Sequence, residues 1–267
     1  MLAIVLSVVF MLSTAIARDP DPRPVLGAPT GPATIVMIGP GLDYNAAHNV
    51  QRIARDGEGD LVGWDFIDDD SSPFGATEAE PPMVAALLAA TRGAIAPVRA
   101  DLNHRASVAA LAGFLSYVPG VLAVASHPDS SDALLSLLEL AARLPDRRVV
   151  TPAPVSEAAI IEALSTLPKG AAMPSNIVWT TTPNNKAFQV AAAELNQILI
   201  VVAEPQTLPS PHEPSMAKAF AAIVAILAEP GAQDQQVRSM IEAARAGVPV
   251  LVEIGPRWQV VGEQPER

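Results

Sequence analysis

From Thr34 onward the chain alternates short β-branched runs with longer Ala/Leu-rich ones, and no other feature limits its fold as much. The pattern predicts strands at Thr34–Ile38, Leu61–Phe66, Pro97–Ala100, Val121–Ala125, Arg148–Thr151, Asn176–Thr182, Leu199–Ala203 and Val250–Ile254. Between them it predicts helices near Ala46–Arg55, Met83–Thr91, Arg105–Val118, Asp132–Leu144, Glu157–Leu164, Ser215–Ala228 and Asp234–Ala246. Asp132 and Asp234 suit helix N-caps, and Gly247 suits a helix stop. The strands are nearly continuous apolar runs, as a sheet covered on both faces requires. Strand–helix alternation of this kind implies a mostly parallel sheet in an α/β layer sandwich.

The ends differ from this body. Met1–Ala17 is apolar and closes on Ala15-Ile16-Ala17, small residues at the positions a signal peptidase reads, although no Lys or Arg precedes the apolar core. Residues 1–17 are therefore expected to be a signal peptide, with an uncleaved membrane anchor as the alternative. The expected location is secreted or periplasmic, and membrane attachment enters only if that segment is retained. Residues 18–33 are proline-rich and read as an extended linker without enough apolar pattern to pack. Residues 34–255 form the α/β domain, and 256–267 a polar tail with one edge strand around Trp258–Val261.

Charge and cysteine content narrow the chemistry. A net charge of −11 and a pI near 4.7 argue against nucleic acid, because no basic surplus exists to displace its counterions. With no cysteine, disulfides, thiolate nucleophiles and thiolate metal sites are all excluded.

Functional residues of open α/β sheets gather at the carboxyl ends of strands, and four segments fall there. They are Thr34-Ile-Val-Met-Ile-Gly-Pro-Gly-Leu-Asp-Tyr44; Gly63-Trp-Asp-Phe-Ile-Asp-Asp-Asp70 with the Glu80-Pro-Pro-Met83 start of a helix; Arg148-Val-Val-Thr-Pro-Ala-Pro154; and Glu213-Pro-Ser-Met-Ala217 opening another helix. In this order and at these spacings they resemble the subtilases, the subtilisin-like serine proteases. That family reads V-x-V-I-D-T-G-V-D-Y, then W-D-F-x-D-x-D and G-H-G-T-H-V-A-G, then V-V-A-A-A-G-N and G-T-S-M-A-A-P. The resemblance spans roughly Thr34 to Ala246 and implies a three-layer sandwich with a mainly parallel sheet of about seven strands. It also implies one left-handed crossover, against the usual rule.

Carried over residue by residue, the family's machinery is incomplete. The triad aspartate position is Gly39, the triad histidine position is Glu80, and the nucleophile position is Ser215. The oxyanion-hole amide would fall near Val155, where no Asn stands. A serine hydroxyl becomes a nucleophile only beside a base, which itself needs an orienting group. Substitute bases are His212, three residues before Ser215 with Glu213 or Asp43 to orient it, and His127 at a strand end. Glu80 itself and Lys218, one helical turn beyond Ser215, complete the set. Each competes with an ordinary loop or surface role, which is also the reading for His48 and His104.

Two other motifs compete. Gly39-Pro-Gly41 has a nucleotide-turn look, but Pro40 removes an amide donor and no Gly-Lys-Ser/Thr follows. Asp65, Asp68, Asp69 and Asp70 offer carboxylates for Ca²⁺ without the ligand spacing of an EF-hand loop, so a solvated acidic turn is the competing reading. No other metal or cofactor is expected. Three functions follow from the residues: a pseudoprotease that binds a peptide or protein, an active endopeptidase using Ser215 with a non-standard base, or an envelope scaffold.

Overall fold

The computed structural model describes residues 21–75, 81–154, 156–167, 173–194, 197–203, 216–228, 250–253 and 259–263. All eight expected strands are present, as β1 (Ile35–Gly39), β2 (Trp64–Asp65), β3 (Ile95–Arg99), β4 (Val121–Val124), β5 (Val149–Pro152), β6 (Ile177–Thr181), β7 (Ile198–Ala203) and β8 (Val250–Glu253). The expected edge strand is β9 (Gln259–Glu263), which brings the tail into the sheet. The order is β2-β3-β1-β4-β5-β6-β7-β8-β9, with every pairing parallel except β8 with β9. Among the described residues six α-helices cover it: α1 (Pro82–Ala90), α2 (Val108–Leu115), α3 (Ser131–Arg143), α4 (Glu157–Thr166), α5 (Lys186–Glu194) and α6 (Met216–Ala228). The α/β class and the mostly parallel sheet are as expected from the sequence. None of the helices among the described residues is long and apolar enough to cross a membrane.

Alternation along the strands sorts the helices into two layers. Val36 and Ile38 of β1 pack with Val108 and Leu111 of α2, Leu134 and Leu137 of α3, Ile160 of α4 and Phe188 of α5. Ile35 and Met37 point the other way, onto Met83, Val84 and Leu87 of α1 and Phe220, Ile223 and Val224 of α6. All four of these β1 side chains are fully buried, so the strand needs apolar residues at successive positions rather than an alternating pattern.

This layering fixes the hand of the crossovers. The connections through α2, α3, α4 and α5 all advance across the sheet in one direction and lie on one face, so they share one hand. Crossovers are right-handed in about 98% of cases, which assigns that hand to these connections. The β2-α1-β3 unit advances the same way but has its helix on the opposite face. It is therefore left-handed.

Several local expectations are corrected. Ala46–Arg55 is not an α-helix; only Val50–Arg52 forms a 3₁₀ turn. Asp43 Oδ1 accepts from the amides of Asn45 and Ala46, and the Asn49 side chain donates to the Asp43 carbonyl, so local side-chain bonds replace the helical ladder. Ile53–Arg55 then runs extended, with Ile53 bridged to Ile95 and Arg55 to Leu61. The N-cap of α3 is Ser130, not Asp132: Ser130 Oγ accepts from the Ala133 amide at 3.0 Å. Helix α5 was not expected, because its sequence KAFQVAAAE gives a weak stripe of Phe188 and Ala192 only. Its start is marked by Asn185, whose Oδ1 accepts from the Phe188 amide. The expected helix Asp234–Ala246 lies outside the described residues, as do residues 1–17.

The proline-rich segment is extended but not loose. From residue 21 to 32 it is fastened along the body like a strap. The Tyr44 hydroxyl donates to the Pro22 carbonyl at 2.6 Å, and Asn45 bonds both the Arg23 carbonyl and the Val25 amide. Gly27 donates to the Gly59 carbonyl, and Thr30 and Arg55 exchange bonds. Backbone groups supply most of this fastening, which is why apolar pattern failed to reveal it.

Candidate functional site

At the carboxyl edge of the sheet, the ends of β1, β3 and β4 and the start of α1 enclose a cleft of about 530 Å³. Its floor is Gly39 and Pro40 after β1. Leu102 and Asp101 follow β3, Ser126 and His127 follow β4, and Pro81 to Met83 open α1. The lining is mainly apolar, with Asp101, Asn103, Ser126 and His127 as its polar groups. One motif residue of the resemblance, Gly39, thus lines the cleft, together with Pro81, Pro82 and Met83 at the start of α1.

The floor is open above Gly39. A Cβ built there would stand 3.5 Å from Ala125 Cβ, an ordinary contact, and the backbone is not in the left-handed region. A side chain at 39 is therefore sterically admissible, and the absent carboxylate is a matter of sequence, not of space. Gly41 is different: at φ +90° its added Cβ would lie 2.9 Å from the backbone of Pro73 to Gly75. Leu42 donates to the Pro73 carbonyl at 3.1 Å, and Tyr44 meets Phe74 edge-on at 5.3 Å. This contact sets the β1 loop beside the β2 segment. The amide geometry does not favour a nucleotide turn, since Pro40 has no donor and Gly41 faces protein backbone.

His127 is the one imidazole among the described residues that lines the cleft. Its buried Nδ1 has no hydrogen-bond partner among the described residues. A general-base histidine needs that nitrogen held by an acceptor so that the other can take a proton. No described residue gives His127 this orientation. The imidazole that does have a carboxylate, His104, bonds Asp101 through Nδ1 at 3.0 Å on the exposed rim. Asp101 is held below the usual carboxylate range, first by the Asn103 amide and then by the Asn103 and His104 side chains, against some burial. Its Oδ1 accepts both nitrogens of Asn103, and Ser130 Oγ reaches Asn103 Oδ1, which joins the rim to the α3 cap. His48 is exposed, as expected, and Lys218 is exposed on α6. Ser215, His212, Glu213, Glu80 and Val155 lie outside the described residues.

Asp68, Asp69 and Asp70 are exposed in a turn, as the solvated reading expects, but Asp65 departs from it. Asp65 is fully buried, and Arg99 at the end of β3 occupies the space between the carboxylates. Arg99 Nη1 donates to Asp65 Oδ2 at 2.6 Å and to Asp68 Oδ2 at 2.5 Å, with Asp21 Oδ2 at 3.7 Å. Burial alone would lower the Arg99 pKa, but hydrogen bonds to Asp65 and Asp68 more than offset it and the net shift is upward. Asp65 Oδ1 accepts from the amides of Ile67 and Asp68, closing a tight turn in which Asp69 has φ 57°. Asp21, Asp65 and Asp68 bring oxygens within 4.8 Å of one another, yet the guanidinium already fills the role a Ca²⁺ would take. The knot fixes the β2 turn against β3, immediately before Ala100 and Asp101 enter the cleft.

Arg99 escapes sequence reasoning; its one signal is a cation closing an otherwise apolar strand. Asn176 is a second such residue. Its Nδ2 donates to the carbonyls of Ala141, Leu144 and Arg147 at 2.8–3.0 Å, satisfying the end of α3. Comparison with known proteins gives no match to a family model, to a curated protein or to a solved structure.

Proposed function

We propose that this chain is an exported relative of the subtilases that no longer cleaves peptide bonds and instead binds an extended peptide or protein segment. The observation that carries the reading is the left-handed β2-α1-β3 unit, with Gly39 and the start of α1 meeting in one cleft. Left-handed units are about 2% of such connections, so sharing this one with the family weighs more than any single motif. The order of the partial motifs along the chain supports the same kinship.

Loss of proteolysis follows from the residues at the cleft. Gly39 supplies no carboxylate, two prolines follow Glu80, and His127 has no orienting acceptor among the described residues. Without a base, the Ser215 hydroxyl remains a weak nucleophile at neutral pH, and removal of the base alone costs nearly as much as removal of the triad. Binding does not need the triad. An apolar cleft with the segments after β3 and β4 as walls offers room for an apolar side chain of such a segment.

A displayed library of random peptides tests this. Peptides retained by the wild type should be released by Ser126→Trp, which fills the cleft from its rim. Equal retention by the variant, or no enrichment by the wild type, would refute cleft binding.

A further inference from the structure

We infer that a second cleft, between the strap and the residues flanking β2, binds a tetrahedral oxyanion, as a phosphate or sulfate group. This cleft of about 720 Å³ contains none of the residues of the Gly39 site. Its charged lining is Arg23, Arg55 and Asp60, joined by Ser71 and Ser72.

Arg55 is 4% exposed and is the unusual member. The partly buried Arg52, Arg99 and Arg147 each place their terminal nitrogens on two or more acceptors. Arg52 places its terminal nitrogens on the Leu88 carbonyl and Thr91 Oγ1, Arg147 on the Leu115 and Gly120 carbonyls, and Arg99 lies among carboxylates. Arg55 makes one side-chain hydrogen bond among the described residues, from Nη1 to the Gly59 carbonyl at 2.9 Å, and no ion pair. A buried cation without counter-charge is costly, and a second cation, Arg23, lines the same cleft in a chain of net charge −11. Asp60 pairs with neither arginine among the described residues.

The guanidinium is also held in place. A Cβ on Gly27 would come within 2.5 Å of Arg55 Nε, and one on Gly59, at φ +88°, would strike the Gly27 carbonyl oxygen. Strap and loop therefore close on the Arg55 stem as far as glycine allows. A fixed planar fork beside a second arginine and two hydroxyls matches the oxygen geometry of phosphate or sulfate. The cleft is larger than a bare ion, which leaves room for a small organic ester.

Calorimetric titration of the full chain at constant ionic strength tests the site, with inorganic phosphate in one arm and phenyl phosphate in the other. The expected result is saturable binding at one site per chain, tighter for whichever source the cleft takes. Arg55→Lys should weaken it about tenfold by losing the bidentate fork. Arg23→Ala, at an exposed side chain that leaves the fold intact, should weaken it about fivefold. Ser126→Trp in the other cleft should leave it unchanged. No saturable binding of either probe below about 10 mM, or equal binding by Arg23→Ala, would overturn the inference.

Discussion

Replacing Arg99 by Met keeps most of the packed stem and removes the charge at the centre of the acidic knot. Asp65 has no solvent contact, and its Oδ2 then loses a 2.6 Å charge-assisted bond while Oδ1 keeps the Ile67 and Asp68 amides. Breaking a buried pair from one side typically costs about 3–5 kcal/mol, since the remaining charge is left uncompensated. Two retained amide bonds place this case at the lower end, about 3 kcal/mol. Asp68 is 37% exposed, so its lost pairing adds only about 0.2–1 kcal/mol. For a domain of this size the sum lowers Tm by about 6–16 °C. Urea unfolding of Arg99→Met should show the loss as a shifted midpoint at unchanged slope. Adding Asp65→Asn removes the stranded charge while keeping an acceptor at Oδ1, and should recover about 1–2 kcal/mol. A loss under about 1 kcal/mol, or strictly additive effects in the double variant, would show that the knot is not a coupled buried network.

Other consequences are equally direct. Asn176→Ala strips a donor from two buried carbonyls and one partly buried one, and should destabilise by about 2–3 kcal/mol, read as a lower urea midpoint. Gly41→Ala forces φ +90° on a side chain with backbone 2.9 Å away, and should cost about 2 kcal/mol or more by the same assay. Burial, helped by the charges of Asp21, Asp70 and Asp43 and opposed by a Ser72 hydrogen bond, raises the Tyr44 pKa from 10.0 to about 12. Since the folded value is the higher one, this stability is full below pH 10.0 and is lost as pH rises toward about 12. Ultraviolet titration should show Tyr44 ionising in that upper range, and a Tyr44 signal near its ordinary value would contradict its burial.

Legibility in the sequence followed the physics of each element. Strand β1 and the described parts of β3 to β7 are buried on both faces, so their apolar runs stood out without any alternation. Helices α1, α3 and α6 carry broad apolar faces and were equally plain. Ala46–Arg55 misled because Asp43 and Asn49 take over backbone bonds that periodicity assumes to be helical. Helix α5 shows Phe188 and Ala192 as its buried apolar side chains among those described, too few to stand out as a stripe. The cleft was foreshadowed at Gly39, the start of α1 and His127, since positions after strand ends are fixed once the strands are. The partners of Asp65 were not, because Arg99 is 34 residues away and its contact depends on β2 lying beside β3. The strap's fastening was hidden for a related reason: on the strap's own side it uses mostly main-chain groups, which carry no residue signature.

Treating the purified chain with a fluorophosphonate probe is the sharpest examination of whether a working nucleophile survives. The account predicts an unmodified intact mass at neutral pH, and the same after Gly39→Asp, because a carboxylate without an imidazole activates nothing. A stoichiometric adduct on Ser215 that disappears in Ser215→Ala would contradict it and restore this chain to the working proteases.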